Sequence, residues 1–430
     1  MSYPENLLYF VKKLQGYSRN NVKVLPLTST TSGNGQVIQF RLPTNSLIDL
    51  STFCMHGQMK VTGSTQPAVF GRDSVSMIRS MQIQIGGQTI QNLNHYNLVW
   101  QGLKQSTMSL NASMSNKTLE YDADVVLPTG SSSQTTASSF AIRNWLGFMQ
   151  VSPSILDSSL TGEIVISLTV ETDGFNYAVN KASCTGITLA LSDLYSSIDV
   201  ISIQDGVYDL VAQQALASGL TLELPVPNYF TFLSSQTGDS YQSSFTIGCQ
   251  SLDAAMVLQR VGRTFATNST ALVANTYKIQ SGMRFNGANA SESQGDGWYF
   301  NVNGSQVPSH RINKFETPYY QKLAFGIHGS DHGNLHSTAI TRPANATVGF
   351  TQDEVDVAEE NQYIPVVRFN HASSDKRLLS GIDARSNPVQ IQFTHSEKAG
   401  ATAAAKDVCV VALCTSTLML GAGQQLSFAA

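Results

Sequence analysis

Three groups of residues have types and spacings that could support chemistry. The stretch HGSDHGNLH at 328–336 sets His328, His332 and His336 at i, i+4 and i+8. On a helix that spacing would aim three imidazoles at one metal ion, zinc above all. Gly326, Gly329 and Gly333 oppose a helix there, and in a loop the spacing has no geometric force, so a solvated loop is expected. The run QDEVDVAEEN at 352–361 gathers Asp353, Glu354, Asp356, Glu359 and Glu360. Paired carboxylates can hydrolyse a glycoside or hold calcium. No EF-hand spacing is present, however, and no second acidic cluster marks an opposing wall, so a solvated acidic loop is again expected. The five cysteines, Cys54, Cys184, Cys249, Cys409 and Cys414, are odd in number, scattered and without a C-x-x-C pair. They indicate neither a disulfide framework nor a zinc site, and a reducing compartment during folding is the expected setting.

No G-x-S-x-G, P-loop, H-E-x-x-H or G-x-G-x-x-G element occurs. No catalytic, cofactor-binding or metal residue is therefore assigned, no cofactor is expected, and the chain is read as a non-enzyme. Six N-x-S/T triplets, at Asn111, Asn116, Asn268, Asn289, Asn303 and Asn345, are what a chain rich in Ser, Thr and Asn yields by chance.

Composition points away from small-molecule chemistry and toward protein contact. Charged residues make up 13% of the 430 residues, about half the roughly 25% usual for soluble domains. Interface centres are depleted of charge in the same way. A net charge of −4 argues against coating nucleic acid over the whole surface. The first 23 residues depart from this, with Lys12, Lys13, Arg19 and Lys23 against Glu5 alone. There Leu7, Phe10, Val11 and Leu14 follow helical spacing, with Pro4 suited to a first turn. An amphipathic helix or arm is expected over 1–25, rather than a secretory signal. The apolar run VCVVALCTSTLMLGAG at 408–423 is too short and too hydroxylated to span a bilayer.

The rest reads as short strands. QVIQFRL (36–42), IVISLTV (164–170), ITLALS (187–192), LTLEL (220–224), FTIGC (245–249), WYFNV (298–302) and VQIQF (389–393) alternate apolar and polar residues. Long Gly/Ser/Thr/Asn-rich loops are expected at 104–140, 263–297 and 326–350. Besides the N-terminus, only DLVAQQALAS (209–218) carries helical propensity.

The strands repeat. MQIQIGGQTIQNLNHYNLVW (81–100) and WYFNVNGSQVPSHRINKFETPYY (298–320) share strand, tight turn, strand and aromatic segment. Gly86-Gly87 and Asn303-Gly304 lie 217 positions apart, strands 164–170 and 389–395 lie 225 apart, and strands 187–192 and 408–413 lie 221 apart. Pro43 of RLPTNSL and Pro225 of ELPVPNYF are only 182 apart, a shortfall that 263–297 would supply as an extra loop in the second copy. The expected architecture is all-β, two tandem jelly-roll sandwiches after the N-terminal helix, over 26–212 and 213–430.

Two tandem jelly rolls in a chain of this length resemble the double jelly-roll major capsid proteins of the adenovirus and tailless-phage lineage, most of all those of virophages and polinton-like viruses. FRLPTNSLIDL (40–50), IGGQTIQNLNHYNLVW (85–100), LSGIDARSNPVQIQF (379–393) and DVCVVAL (407–413) carry the resemblance together with the tandem period. It implies a hexon-like homotrimer whose six jelly rolls form a pseudo-hexagonal block that tiles an icosahedral shell. It also implies a location in the virion, assembly in the host cytoplasm or nucleus, no secretion and no small-molecule substrate. The implied partners are the chain itself and neighbouring trimers, penton and minor or cement proteins, and an inner membrane or the genome reached by the N-terminal arm. The alternative is a carbohydrate-binding or glycan-active protein on a jelly-roll scaffold. A sugar site would want exposed aromatics beside carboxylates, whereas Trp100, Trp145 and Trp298 sit in or near strands and are expected in the core.

Overall fold

The computed structural model describes residues 17–62, 68–70, 74–107, 137–151, 153–172, 178–180, 188–203, 222–236, 240–261, 297–313, 316–325, 364–370, 381–396, 406–421 and 426–429. The first set of elements is β1 (Tyr17–Val24), β2 (Ser32–Gly33), β3 (Val37–Arg41), β4 (Leu47–Thr62), β5 (Ala68–Phe70), β6 (Ile78–Ile85), β7 (Gln88–Asn94), helix α1 (Tyr96–Thr107), β8 (Ser138–Ile142), β9 (Ile155–Asp157), β10 (Ile164–Val170), β11 (Ala178–Asn180) and β12 (Thr188–Ile203). The second set is β13 (Leu222–Gln236), β14 (Tyr241–Ile247), β15 (Ser251–Val261), β16 (Gly297–Val302), β17 (Ser305–Ile312), helix α2 (Thr317–Phe325), β18 (Val366–Arg368), β19 (Val389–Ser396), β20 (Lys406–Leu420) and β21 (Leu426–Ala429).

Each set folds as a sandwich of two antiparallel sheets. In the first, β1-β12-β4-β8 faces β3-β10-β6-β7, with β2 and β9 added at the margins. In the second, β13-β20-β15-β18 faces β14-β19-β16-β17, with β21 beside β20. The two strand orders correspond one for one, which makes the molecule a double jelly roll.

Alternation explains each core. In β6 and β10, Met81, Ile83, Ile85, Ile164, Ile166 and Leu168 are buried on one face, against Phe53, Met55 and Met59 of β4 and Leu189, Leu191 and Ile198 of β12. In the second sandwich Trp298, Phe300, Ile391 and Phe393 meet Ala255, Val257, Val408, Val410 and Ala412. Full burial of one such side chain contributes roughly 1.5–3 kcal/mol.

The echo heard in the sequence is a complete structural unit. Both tight turns have two central residues of positive φ, Gly86 at 56° and Gly87 at 82°, and Asn303 at 48° and Gly304 at 86°, as a type I′ hairpin requires. Each hairpin then leads into a helix. The segment read as an aromatic cluster after β7 is α1, and its counterpart after β17 is α2, so helical structure is not confined to the segments where propensity placed it. Asn-rich, aromatic sequence has weak helix propensity, and tertiary partners make up the difference. Asn97 donates to Glu171 (3.0 Å) and to the Ser76 carbonyl (3.2 Å), and the Tyr96 hydroxyl accepts from Leu146 N (2.9 Å). At the second helix, Asn313 and Glu316 cap one another, Glu316 N to Asn313 Oδ1 at 2.9 Å and Asn313 N to Glu316 Oε2 at 3.1 Å, a capping box.

Two further expectations are corrected. Residues 17–24 form β1, paired in register with β12 from Tyr17↔Ile203 to Val24↔Ser196, so the arm expected over 1–25 is part of the first sheet from residue 17 onward. The helix expected around Leu7–Leu14 lies outside the described residues, as does the segment 209–218. Pro43 and Pro225 are not equivalent: Pro225 lies in β13, whose topological partner is β1, whereas Pro43 follows β3. A shared Leu-Pro dipeptide misled the alignment. The real difference in length falls between β4 and β6, separated by 63–77, and between β15 and β16, separated by 262–296.

Candidate assembly interface

The apolar run at 408–413 breaks the alternation seen elsewhere, and its surroundings explain why. Val408, Val410 and Ala412 of β20 point into the second core, while Cys409 and Val411 point the other way and are equally buried. The outer face of β13-β20-β15 is covered by the first jelly roll: Leu224, Val226, Tyr229, Met256 and Leu258 belong to the same apolar cluster as the first core. A sheet buried on both faces reads as a continuous hydrophobic run. No helix among the described residues is long and apolar enough to cross a membrane.

The first jelly roll meets this face with α1, the end of β7 and the turn Gly147–Gln150. A Cβ on Gly102 of α1 would lie 2.4 Å from Leu258 Cδ2, so the helix backbone itself rests on that leucine. Thr231 donates to the Asn94 carbonyl at 3.1 Å, and the Tyr229 hydroxyl donates to Gln150 Oε1 at 3.3 Å. Burial pushes the Tyr229 hydroxyl up to about 12, so it stays a neutral donor.

Among the described residues, the equivalent surfaces, α2 and the outer face of β1-β12-β4, carry no such cover. On α2, Tyr319 and Leu323, one helical turn apart, are 60% and 44% exposed. The outer face of the first sheet is polar where the second is apolar. Arg19 of β1 spans Asp49 Oδ2 (2.9 Å) and Asp199 Oδ2 (2.5 Å), and Asn21 donates to Asp199 Oδ1 (2.6 Å). His56 and Tyr195 stack with ring centres 4.7 Å apart, and Lys23 Nζ lies 4.2 Å from the Tyr195 ring centre. The His56 Nε2 and Ser197 Oγ atoms share a 2.9 Å hydrogen bond.

This network holds charge at definite values. For Asp49, burial pushes the carboxyl up, but hydrogen bonds from Ser51 and Ser154 and the Arg19 charge bring it below its ordinary value. The Asn21 hydrogen bond, with Arg19, lowers Asp199 likewise. Burial lowers His56, favouring the neutral ring, and lifts the Cys54 thiol to about 11. The face is thus a fixed pattern of charged, polar and aromatic side chains.

Of the groups singled out in the sequence, the three histidines at 328–336 and the five carboxylates at 352–361 lie outside the described residues. Among the described residues, no three His, Cys, Asp or Glu side chains come together as a metal site. All three tryptophans are in the cores, each with its indole N–H satisfied: Trp100 by the Asn144 carbonyl (2.6 Å), Trp145 by the Phe53 carbonyl (3.1 Å) and Trp298 by Thr317 Oγ1 (2.9 Å). Of the N-x-S/T triplets, Asn303 is described, in the exposed β16–β17 turn, accepting from Gln390 N at 2.8 Å.

No family profile matches the sequence, and no curated relative does. Solved structures do match. The capsid protein of PBCV-1 virus superposes with a TM-score of 0.62 over 99% of this chain and 99% of its own, at 10% identity. The Faustovirus major capsid protein gives 0.62 over 98% and 93%, at 8% identity. The mavirus major capsid protein gives 0.52 over 99% and 93%, at 11% identity. End to end, this chain has the double jelly-roll fold of viral major capsid proteins.

Proposed function

We propose that the chain is a viral major capsid subunit that assembles as a homotrimer, its six jelly rolls forming a pseudo-hexagonal block of an icosahedral shell. One observation carries the reading. Within the chain, the helix side of the first jelly roll (α1, end of β7) packs on the outer sheet face of the second (β13, β20, β15). The two copies have the same topology, so the same step taken again sets α2 and β17 of one subunit on the β1-β12-β4 face of the next. Repetition of a head-to-tail contact that closes yields a ring, and three subunits of two jelly rolls complete six positions. Tyr319 and Leu323 on one side, and the Arg19, Lys23, His56 and Tyr195 face on the other, are the surfaces such a ring would bury.

In that role the partners are other copies of the chain, penton and minor or cement proteins, and an inner membrane or the genome beneath the N-terminal arm. The site of action is the virion. The chemistry is burial of surface rather than turnover. The carbohydrate-binding alternative gains nothing from the tryptophans, which are in the cores and offer no stacking platform to a sugar.

Light scattering and electron microscopy of the purified chain test the proposal. A trimeric mass with pseudo-hexagonal outlines, or closed shells, is expected. A stable monomer at micromolar concentration overturns it.

A further inference from the structure

Two thiols meet inside the second jelly roll. Cys249 lies in the corner between β14 and β15, Cys414 in the middle of β20, and Cys414 Sγ donates to Cys249 Sγ at 3.2 Å. Both are fully reduced and buried within the second core. Their backbones are fixed on either side. Ala384 N donates to the Cys249 carbonyl at 2.9 Å, and Cys414 is paired with Asn228 of β13 and Leu252 of β15. Cys414 also lines a cavity of about 240 Å³ with Asn228, Asp253, Arg368 and Thr415, which ends one hydrogen bond from Cys249.

We propose that Cys249 and Cys414 are a latent cross-link, a dithiol that closes to a disulfide when the folded protein meets a peroxide. The Cys249 sulfur attacks one peroxide oxygen, the O–O bond breaks, and water leaves with Cys249 as a sulfenic acid. The Cys414 sulfur then attacks Cys249, the S–S bond forms, the S–O bond breaks, and a second water carries away the Cys414 proton. Two thiols are oxidised by two electrons and one peroxide is reduced to two waters.

The order of events follows from the hydrogen bond. As acceptor, Cys249 is held below the ordinary thiol range, while donation to Cys249 and burial raise Cys414 well above it. The thiolate is the attacking species, so Cys249 reacts first and Cys414 resolves it. The closed bridge would join residues 165 positions apart, and stabilisation from a cross-link grows with the loop it closes. On the capsid reading, a particle built in a reducing cell and released into an oxidising medium would gain this clasp after assembly. The thiol chemistry itself does not depend on that reading.

The test exposes the intact, assembled protein to graded hydrogen peroxide, blocks free thiols in denaturant, and maps peptides. We expect the loss of two hydrogens, a Cys249–Cys414 linked peptide reversed by dithiothreitol, and an unfolding midpoint raised by roughly 5–10 °C. Cys414→Ser should abolish the linked peptide and leave Cys249 as a sulfenic acid that dimedone captures. If that variant does not fold, the wild-type map decides alone. Thiols at 249 and 414 that both remain blockable after peroxide, or links to Cys54, Cys184 or Cys409 instead, overturn the proposal.

Discussion

Leu323→Asp separates folding of the subunit from closure of the ring. Leu323 is 44% exposed in the single chain, so Leu323→Asp should cost the subunit about 1–2 kcal/mol, from the covered part of the side chain and the poorer helix propensity of Asp. In the ring it is to be covered by the sheet face of the next copy. Completing the burial of a leucine that is already half covered contributes about 1 kcal/mol. An unpaired carboxylate sealed into the same place costs roughly 3 kcal/mol or more. Each contact thus loses about 4 kcal/mol, and a three-membered ring repeats the loss three times. At about 1.4 kcal/mol per factor of ten, the trimer association constant falls by at least eight orders of magnitude. Sedimentation velocity at micromolar concentration should show a monomer, while circular dichroism shows a wild-type spectrum and a cooperative melt, its midpoint lowered by the association energy the trimer no longer supplies. Tyr319→Ala removes only apolar area and should weaken the trimer by a graded amount. If Leu323→Asp sediments as a wild-type trimer, α2 is not at the contact, and the repeated-step argument is wrong.

Other consequences can be checked separately. Trp298→Ala empties the centre of the second core and removes the indole hydrogen bond to Thr317 Oγ1, so a loss of roughly 3–5 kcal/mol is expected by denaturant titration. Gly102→Leu drives a side chain into Leu258 and should cost roughly 2 kcal/mol net of the helix propensity gained; combined with Leu258→Ala, the losses should be less than additive, which a double-mutant cycle reads directly. Asp49 and Asp199 titrate below their ordinary 3.8. Their support of β1 is therefore complete above that value and fades as pH falls through the lower folded values. Hydrogen exchange over Tyr17–Val24 should rise below about pH 4 while the β6–β10 amides stay protected.

Much of this fold was legible because its strands have one wet face. IVISLTV was read as a strand at 164–170, and β10 has those limits; the two positive-φ turns stood out by composition. The helices were not legible, because YNLVWQGL and TPYYQKL owe their conformation to Glu171, Leu146 and the Asn313–Glu316 cap rather than to local preference. The false match of Pro43 with Pro225 shows the limit of a dipeptide as a marker when strand order, not sequence, is what repeats. The junction left one trace, the unalternating run at 408–413. It was read only as too short for a membrane, when its better meaning was a strand with protein on both sides. Tyr319 and Leu323 gave no sequence signal, since exposure of two apolar residues on a short helix is visible only once Thr317 and Gln321 of the same helix are seen to be buried.

β20 lies at the centre of its sheet and borders two apolar clusters, yet it follows all its sheet neighbours but β21 in the chain, at Lys406–Leu420. The first jelly roll, whose described strands end at Ile203, can condense while the ribosome is still working. The second cannot until β20 is made, because that middle strand follows β13, β15 and β18 and supplies both the interior of the sandwich and its seat on the first. A nascent chain that stops before residue 406 would leave β13 and β15 without their shared neighbour and the α1 side of the first jelly roll bare. Such a fragment is marked for chaperones and proteases by its own exposed surface. Because the central strand follows its neighbours in the chain, a second jelly roll that lacks it betrays itself as unfinished.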